Sequence, residues 1–102
     1  MYRARDRVDN EEWIERLHAA ADRMDLGSEA RSTATDLFLT SIQSADASKR
    51  TVMAASLYAG SLIAGDQRSQ GAVADAADVS RLSIQQQWKG ILRTAGLEPP
   101  GW

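Results

Sequence analysis

Residues 51–65 read TVMAASLYAGSLIAG, the longest stretch of the chain without a charged side chain. Val52, Met53, Ala55, Leu57, Ala59, Leu62 and Ile63 do not form one stripe; they cover nearly the whole circumference of a helix. A helix that is apolar all round belongs at the centre of a bundle. Fifteen residues rise only about 22 Å as a helix, and Ser56, Gly60 and Ser61 interrupt the run, so a membrane span is not expected. Ala54, Ala55, Ala59 and Gly60 are small enough for neighbouring helices to press against this one. The helix is expected over about 48–64, closed by Gly65-Asp66.

The flanking sequence supplies the partners that such a helix requires. Upstream, Trp13, Leu17, Ala20, Ala21 and Met24 recur at helical spacing. Asp9 with Glu12 has the spacing of a capping box at the start, and Leu26-Gly27 brings the terminating glycine. Ser28 is expected to cap a second helix that buries Ala30, Ala34, Leu37, Phe38 and Ile42, before a polar break at 44–49. Downstream, Ser69 opens a short fourth helix that turns Val73, Ala76 and Ala77 inward. A tight connection at 78–80 leads to a fifth helix over about 81–95. Its apolar stripe is Ile84, Trp88, Ile91, Leu92 and Ala95, and Gly96 ends it. Leu57, Trp88 and Ile91 are expected to be buried together. The fold class that follows is all-α, a five-helix bundle around the third helix. Residues 9–96 are expected to form the domain, between a basic arm at 1–8 with Arg3, Arg5 and Arg7 and a tail at 97–102 ending in Trp102.

Composition agrees and narrows the function classes. Seventeen alanines favour helices at close approach, and the only prolines, Pro99 and Pro100, lie beyond the last helix. Without cysteine there is no disulfide framework, thiolate metal site or cysteine nucleophile. His18 is the single histidine; with Asp22 it has the i, i+4 spacing of two helical metal ligands, but two ligands make a poor site. No Ser/His/Asp pattern or glycine-rich phosphate loop is present. An enzyme is not expected, nor is a cofactor. No signal-peptide pattern opens the chain, which suits the cytoplasm. The net charge of −2 gives no global attraction to nucleic acid, yet residues 80–95 carry Arg81, Lys89 and Arg93 with no acid.

Residues 52–92 carry a recognisable pattern. The central helix ends in A-A-S-L-Y-A-G-S-L, the fourth opens with Ser69-Gln70, Val79-Ser80 makes the turn, and Trp88-Lys89 sets an aromatic before a basic residue. This resembles the second cyclin-like repeat of archaeal transcription factor B, a TFIIB-like protein, and five helices around a buried third match its cyclin arrangement. The resemblance implies a transcription-associated module whose last helix contacts promoter DNA upstream of the TATA box. Its implied partners are promoter DNA and TATA-binding protein or another transcription factor, with a nucleoid location when DNA is bound. Where this family usually carries arginines, the chain has Gln85 and Gln87. A lone repeat also exposes the surface that a companion repeat would cover, so self-association is a possible use of it.

The last two helices have helix-turn-helix proportions, in which the second helix can enter the major groove. Arg81, Gln85, Lys89 and Arg93 follow at four-residue spacing with Gln86 alongside. Glutamine pairs bidentately with adenine, and arginine with guanine or phosphate. Ser69 and Ser80 stand at helix starts, where backbone N–H groups can hold phosphate. Two other readings stay open: a solvated helix face, and a module that binds protein without touching DNA.

Overall fold

The computed structural model describes residues 9–99. Five helices follow one another: α1 (Glu11–Arg23), α2 (Ser28–Ser41), α3 (Lys49–Ile63), α4 (Gln70–Ala77) and α5 (Arg81–Thr94). No strand occurs among the described residues. The central helix packs against all four others, most extensively against α2 and α5. Its residues 52–61 are buried without a break, as an all-round apolar helix must be. In the last turn that pattern ends: Leu62 is half-buried and Ile63 is 46% exposed, bordering a surface groove with Leu92 and Leu97.

Gly60 marks the closest packing. A Cβ there would lie 2.8 Å from the backbone nitrogen of Ala34, so α2 and α3 touch through their main chains. Leu57, Trp88 and Ile91 are buried in one core. The Trp88 ring meets Tyr58 edge-on, with centroids 5.2 Å apart at 80°. That geometry suits two aromatic quadrupoles.

Helix ends account for most departures from the expected boundaries. α1 has no capping box: Asn10 holds the N-cap position, makes no capping bond, and accepts from Lys49 Nζ at 2.8 Å. That bond ties the start of α1 to the start of α3. The terminator of α1 is Asp25, not Gly27. Asp25 takes φ 53°, its N–H donates to Asp22 O, and Leu26 N–H donates to Ala21 O at 3.0 Å. These bonds make a Schellman motif with aspartate in the left-handed position, one of the few non-glycine residues that tolerate it. Gly27 is thereby released to be the N-cap of α2, and Ser28 lies inside the helix. Gly65 and Gly96, by contrast, end α3 and α5 with positive φ as expected.

Several buried positions also shift. Ile14 occupies the inner face of α1, while Trp13 is half-buried beneath the guanidinium groups of Arg16 (4.5 Å from the ring centroid) and Arg50 (5.8 Å). Leu39 is buried in α2, whereas Ile42 is half-buried. Ala74 rather than Ala76 is buried in α4. Ala95, the C-cap residue of α5, is exposed and leaves the stripe one turn early.

A polar clip joins the ends of three helices. Asp66, just after α3, accepts from Gly27 N–H at 2.9 Å and from Arg68 Nη1 at 2.7 Å. Arg68 Nε and Nη2 donate to the carbonyls of Met24 and Asp25, at 2.9 and 3.0 Å. The Gly27 N–H first, and the Arg68 guanidinium second, hold the Asp66 carboxyl below the usual carboxylate range.

Candidate nucleic-acid interface

α4 and α5 are joined by three residues whose conformations are set locally. Asp78 adopts the left-handed conformation at φ 58°, and Val79 N–H reaches back to Ala74 O at 3.1 Å. Ser80 is extended, and its hydroxyl accepts from Ser83 N–H at 3.1 Å, so it caps α5. Ser69 caps α4 in the same way through Ala72 N–H at 3.0 Å. In each case the cap satisfies the third N–H of the helix. The first two have no intrahelical partner by geometry and remain the groups a phosphate oxygen would meet.

Three of the candidate residues gather at the first turn of α4. Ser69 opens it. Arg81, exposed, lies across it, with its Cδ 3.7 Å from where a Cβ on Gly71 would stand. Gln85, also exposed, accepts a hydrogen bond from Gln70 Nε2 at 2.6 Å. Gln86 is exposed beside it. Lys89 is half-buried, its Nζ 5.6 Å from the Trp88 ring centroid, and Arg93 is exposed in the last turn. Four-residue steps drift by about 40° around a helix. Arg81 and Arg93 therefore flank Gln85 and Lys89 instead of sharing one line with them.

Two residues belong to this surface that the sequence did not single out as contacts. Leu82 is 63% exposed, the most exposed large apolar side chain among the described residues. Its signal was present in the sequence: it falls off the Ile84, Trp88, Ile91 stripe. Gln70 is the other. Its bond to Gln85 spans fifteen positions and depends on how α4 and α5 are docked, so no local pattern announces it.

The remaining candidates are accounted for differently. His18 Nε2 meets Thr35 Oγ1 at 3.3 Å, and Thr35 itself donates to Arg31 O at 2.8 Å. The threonine proton is thus engaged, and the histidine Nε2 must carry the hydrogen. Among the described residues no three His, Cys, Asp or Glu side chains are placed to hold a metal ion. The arm with Arg3, Arg5 and Arg7 and the terminal Trp102 lie outside the described residues. None of the described helices is long and apolar enough to cross a membrane.

The family model for the transcription factor TFIIB repeat matches residues 6–94. The chain belongs to the TFIIB repeat family. A search of curated proteins gave no match. A TFIIB repeat is an all-α, cyclin-like domain, and the five helices around α3 are that arrangement. The family is one of transcription-factor modules. In this repeat, α5 carries Arg81, Lys89 and Arg93 with no acid between Asp78 and Glu98, while α4 has no basic residue and exposes Asp75.

Proposed function

We propose that this TFIIB repeat binds promoter DNA with its α4–α5 pair, in the manner of the second repeat of archaeal transcription factor B. One observation carries the reading. Arg81, Gln85, Gln86, Lys89 and Arg93 occupy an acid-free helix beside the N-terminus of α4, in a chain whose net charge is otherwise negative. Such a helix can enter the major groove. Arg81, Lys89 and Arg93 then touch phosphates, Ser69 and Ser80 bring helix N-termini to the backbone, and Gln85 or Gln86 reaches a base edge. Leu82 can meet a thymine methyl group. Residues 9–96 are the binding module in this reading, and a nucleoid location follows from it.

Three cations on the contacting helix predict weak binding. Neutralising three phosphates makes affinity fall with about the third power of salt concentration. DNA-bound TATA-binding protein, or another transcription factor, would supply the rest of the affinity. The test is binding to a TATA-containing promoter duplex across a salt series, with and without TATA-binding protein. Salt-dependent binding that strengthens when that protein is added supports the proposal. No binding at low salt, and no effect of that protein, refutes it. The alternative is a protein-interaction module without DNA contact. The apolar groove formed by Leu62, Ile63, Leu92 and Leu97 favours it, and it would be the better account after that negative result.

A further inference from the structure

Gln70 and Gln85 come from different helices and meet through their carboxamides. Gln70 Nε2 donates to Gln85 Oε1 at 2.6 Å. Gln70 is half-buried as the first residue of α4, and Gln85 is exposed in the second turn of α5. An exposed glutamine normally samples many rotamers, and fixing it costs about 1.5–2 kcal/mol of side-chain entropy. Its amide can also present either edge. The difference matters at a base: adenine offers a donor at N6 and an acceptor at N7, which match an amide oxygen and nitrogen in one orientation only. The bond from Gln70 restricts both freedoms. It marks the oxygen edge of Gln85, occupies one lone pair of Oε1, and leaves the other lone pair and both Nε2 hydrogens available.

We infer that Gln70 is a positioning residue that holds the Gln85 carboxamide oriented for adenine, so that one glutamine from each helix forms a single base-reading unit. The inference rests on the DNA reading above. It also gives a physical role to an uncharged residue at a position where the resembling family usually carries arginine. A fixed amide oxygen opposes guanine, whose major-groove edge offers only acceptors. The pair therefore selects against the base that an arginine would choose.

The test uses the full chain with TATA-binding protein and TATA-containing duplexes randomised upstream of the TATA element. Bound duplexes are sequenced for wild type, Gln85→Ala, Gln70→Ala, the double variant and Gln70→Lys. Wild type should enrich adenine at one position by about tenfold. Gln85→Ala should lose that preference, and Gln70→Ala should lose most of it at the same position. The double variant should be no worse than Gln85→Ala alone. Gln70→Lys keeps a donor facing Gln85 Oε1 and should restore the preference. Melting temperature and the salt slope of Gln70→Ala should match wild type, which a merely structural role would not allow together with altered base choice. Salt-dependent binding by Gln70→Ala with unchanged adenine preference overturns this inference and leaves DNA binding standing. Absence of binding by wild type overturns both.

Discussion

Replacing Gly60 by alanine tests the central packing. An added methyl would lie 2.8 Å from Ala34 N, 2.9 Å from its Cα and 3.0 Å from its Cβ. All three atoms are fixed by the backbone of α2, so no rotamer change relieves the clash. Carbon atoms prefer about 3.5–4.0 Å, so the two helices must part by roughly 0.5–1 Å, which forfeits a quarter to a half of each contact's attraction. Overpacking of this kind costs about 1–3 kcal/mol. Alanine's helical advantage over glycine, about 1 kcal/mol, opposes it. Gly90 provides the control: it is exposed in the middle of α5, and an added Cβ meets nothing within 4 Å. There the helical advantage acts unopposed. The net cost at Gly60 is thus about 0–2 kcal/mol, and thermal unfolding followed by circular dichroism should show Gly60→Ala melting up to about 15 °C below wild type and Gly90→Ala about 4–8 °C above it. If Gly60→Ala is stabilised as much as Gly90→Ala, α2 and α3 are not in main-chain contact and the account of the core is wrong.

Truncating Trp88, 1% exposed and edge-on to Tyr58, to alanine should destabilise the domain by about 3–5 kcal/mol; an unchanged melting temperature would mean that α5 turns a different face inward. Asp66 has a folded-state pKa below its unfolded value, so the stability from its clip is fully present above about pH 4 and is lost as pH falls through the lower, folded value. Melting curves of wild type and Asp66→Asn should therefore converge on acidification, and parallel curves down to pH 2 would show that the carboxylate carries no such linkage. Ser56 is fully buried, and its hydroxyl finds no partner among the described residues. Ser56→Ala should accordingly be neutral or stabilising by about 1 kcal/mol in denaturant unfolding, whereas a loss of stability would reveal a bond to that hydroxyl. Arg68→Lys keeps the charge but cannot reach Met24 O, Asp25 O and Asp66 together, so it should cost about 1–3 kcal/mol, against no change for Arg93→Lys.

The helices were legible because helical periodicity and small residues are local properties. Residues 52–61 announce a central helix without knowledge of what surrounds it, and Gly65 and Gly96 announce their turns because glycine alone enters the left-handed region freely. What was not legible depends on competition between neighbours. Either Asp25 or Gly27 could end α1; the choice falls to Asp25 because Leu26 is then buried against the core and Gly27 N–H can meet Asp66, thirty-nine residues away. Trp13 has the spacing of a core residue, but Ile14 is one position closer to the centre, and the indole is left as a platform for two arginines. At the candidate interface the α5 residues were readable from composition and spacing. The Gln70–Gln85 bond was not, since it exists only after two helices have docked.

The chain has ten arginines against two lysines, and the same distinction gives that excess a physical basis. Seven arginines fall among the described residues, and five are bound into the fold. Arg23 Nη1 donates to Ala76 O at 2.8 Å, and Arg50 Nη1 to Ala77 O at 3.4 Å. From α1 and α3, they cap the last carbonyls of the eight-residue α4, which a helix of two turns leaves without intrahelical partners. Arg68 caps the end of α1, Arg31 Nε donates to Leu26 O at 3.0 Å, and Arg16 pairs with Glu12 over Trp13. A planar fork with five donors suits such carbonyl capping better than a single ammonium does. Because α4 has little stability of its own, Arg23 and Arg50 help hold it in place from outside the α4–α5 pair. Arg81 and Arg93 are the two described arginines with neither an ion pair nor a side-chain hydrogen bond to another described residue, and both stand on α5. In the DNA reading proposed above, α5 is therefore the helix that carries the described arginines without a partner in the fold.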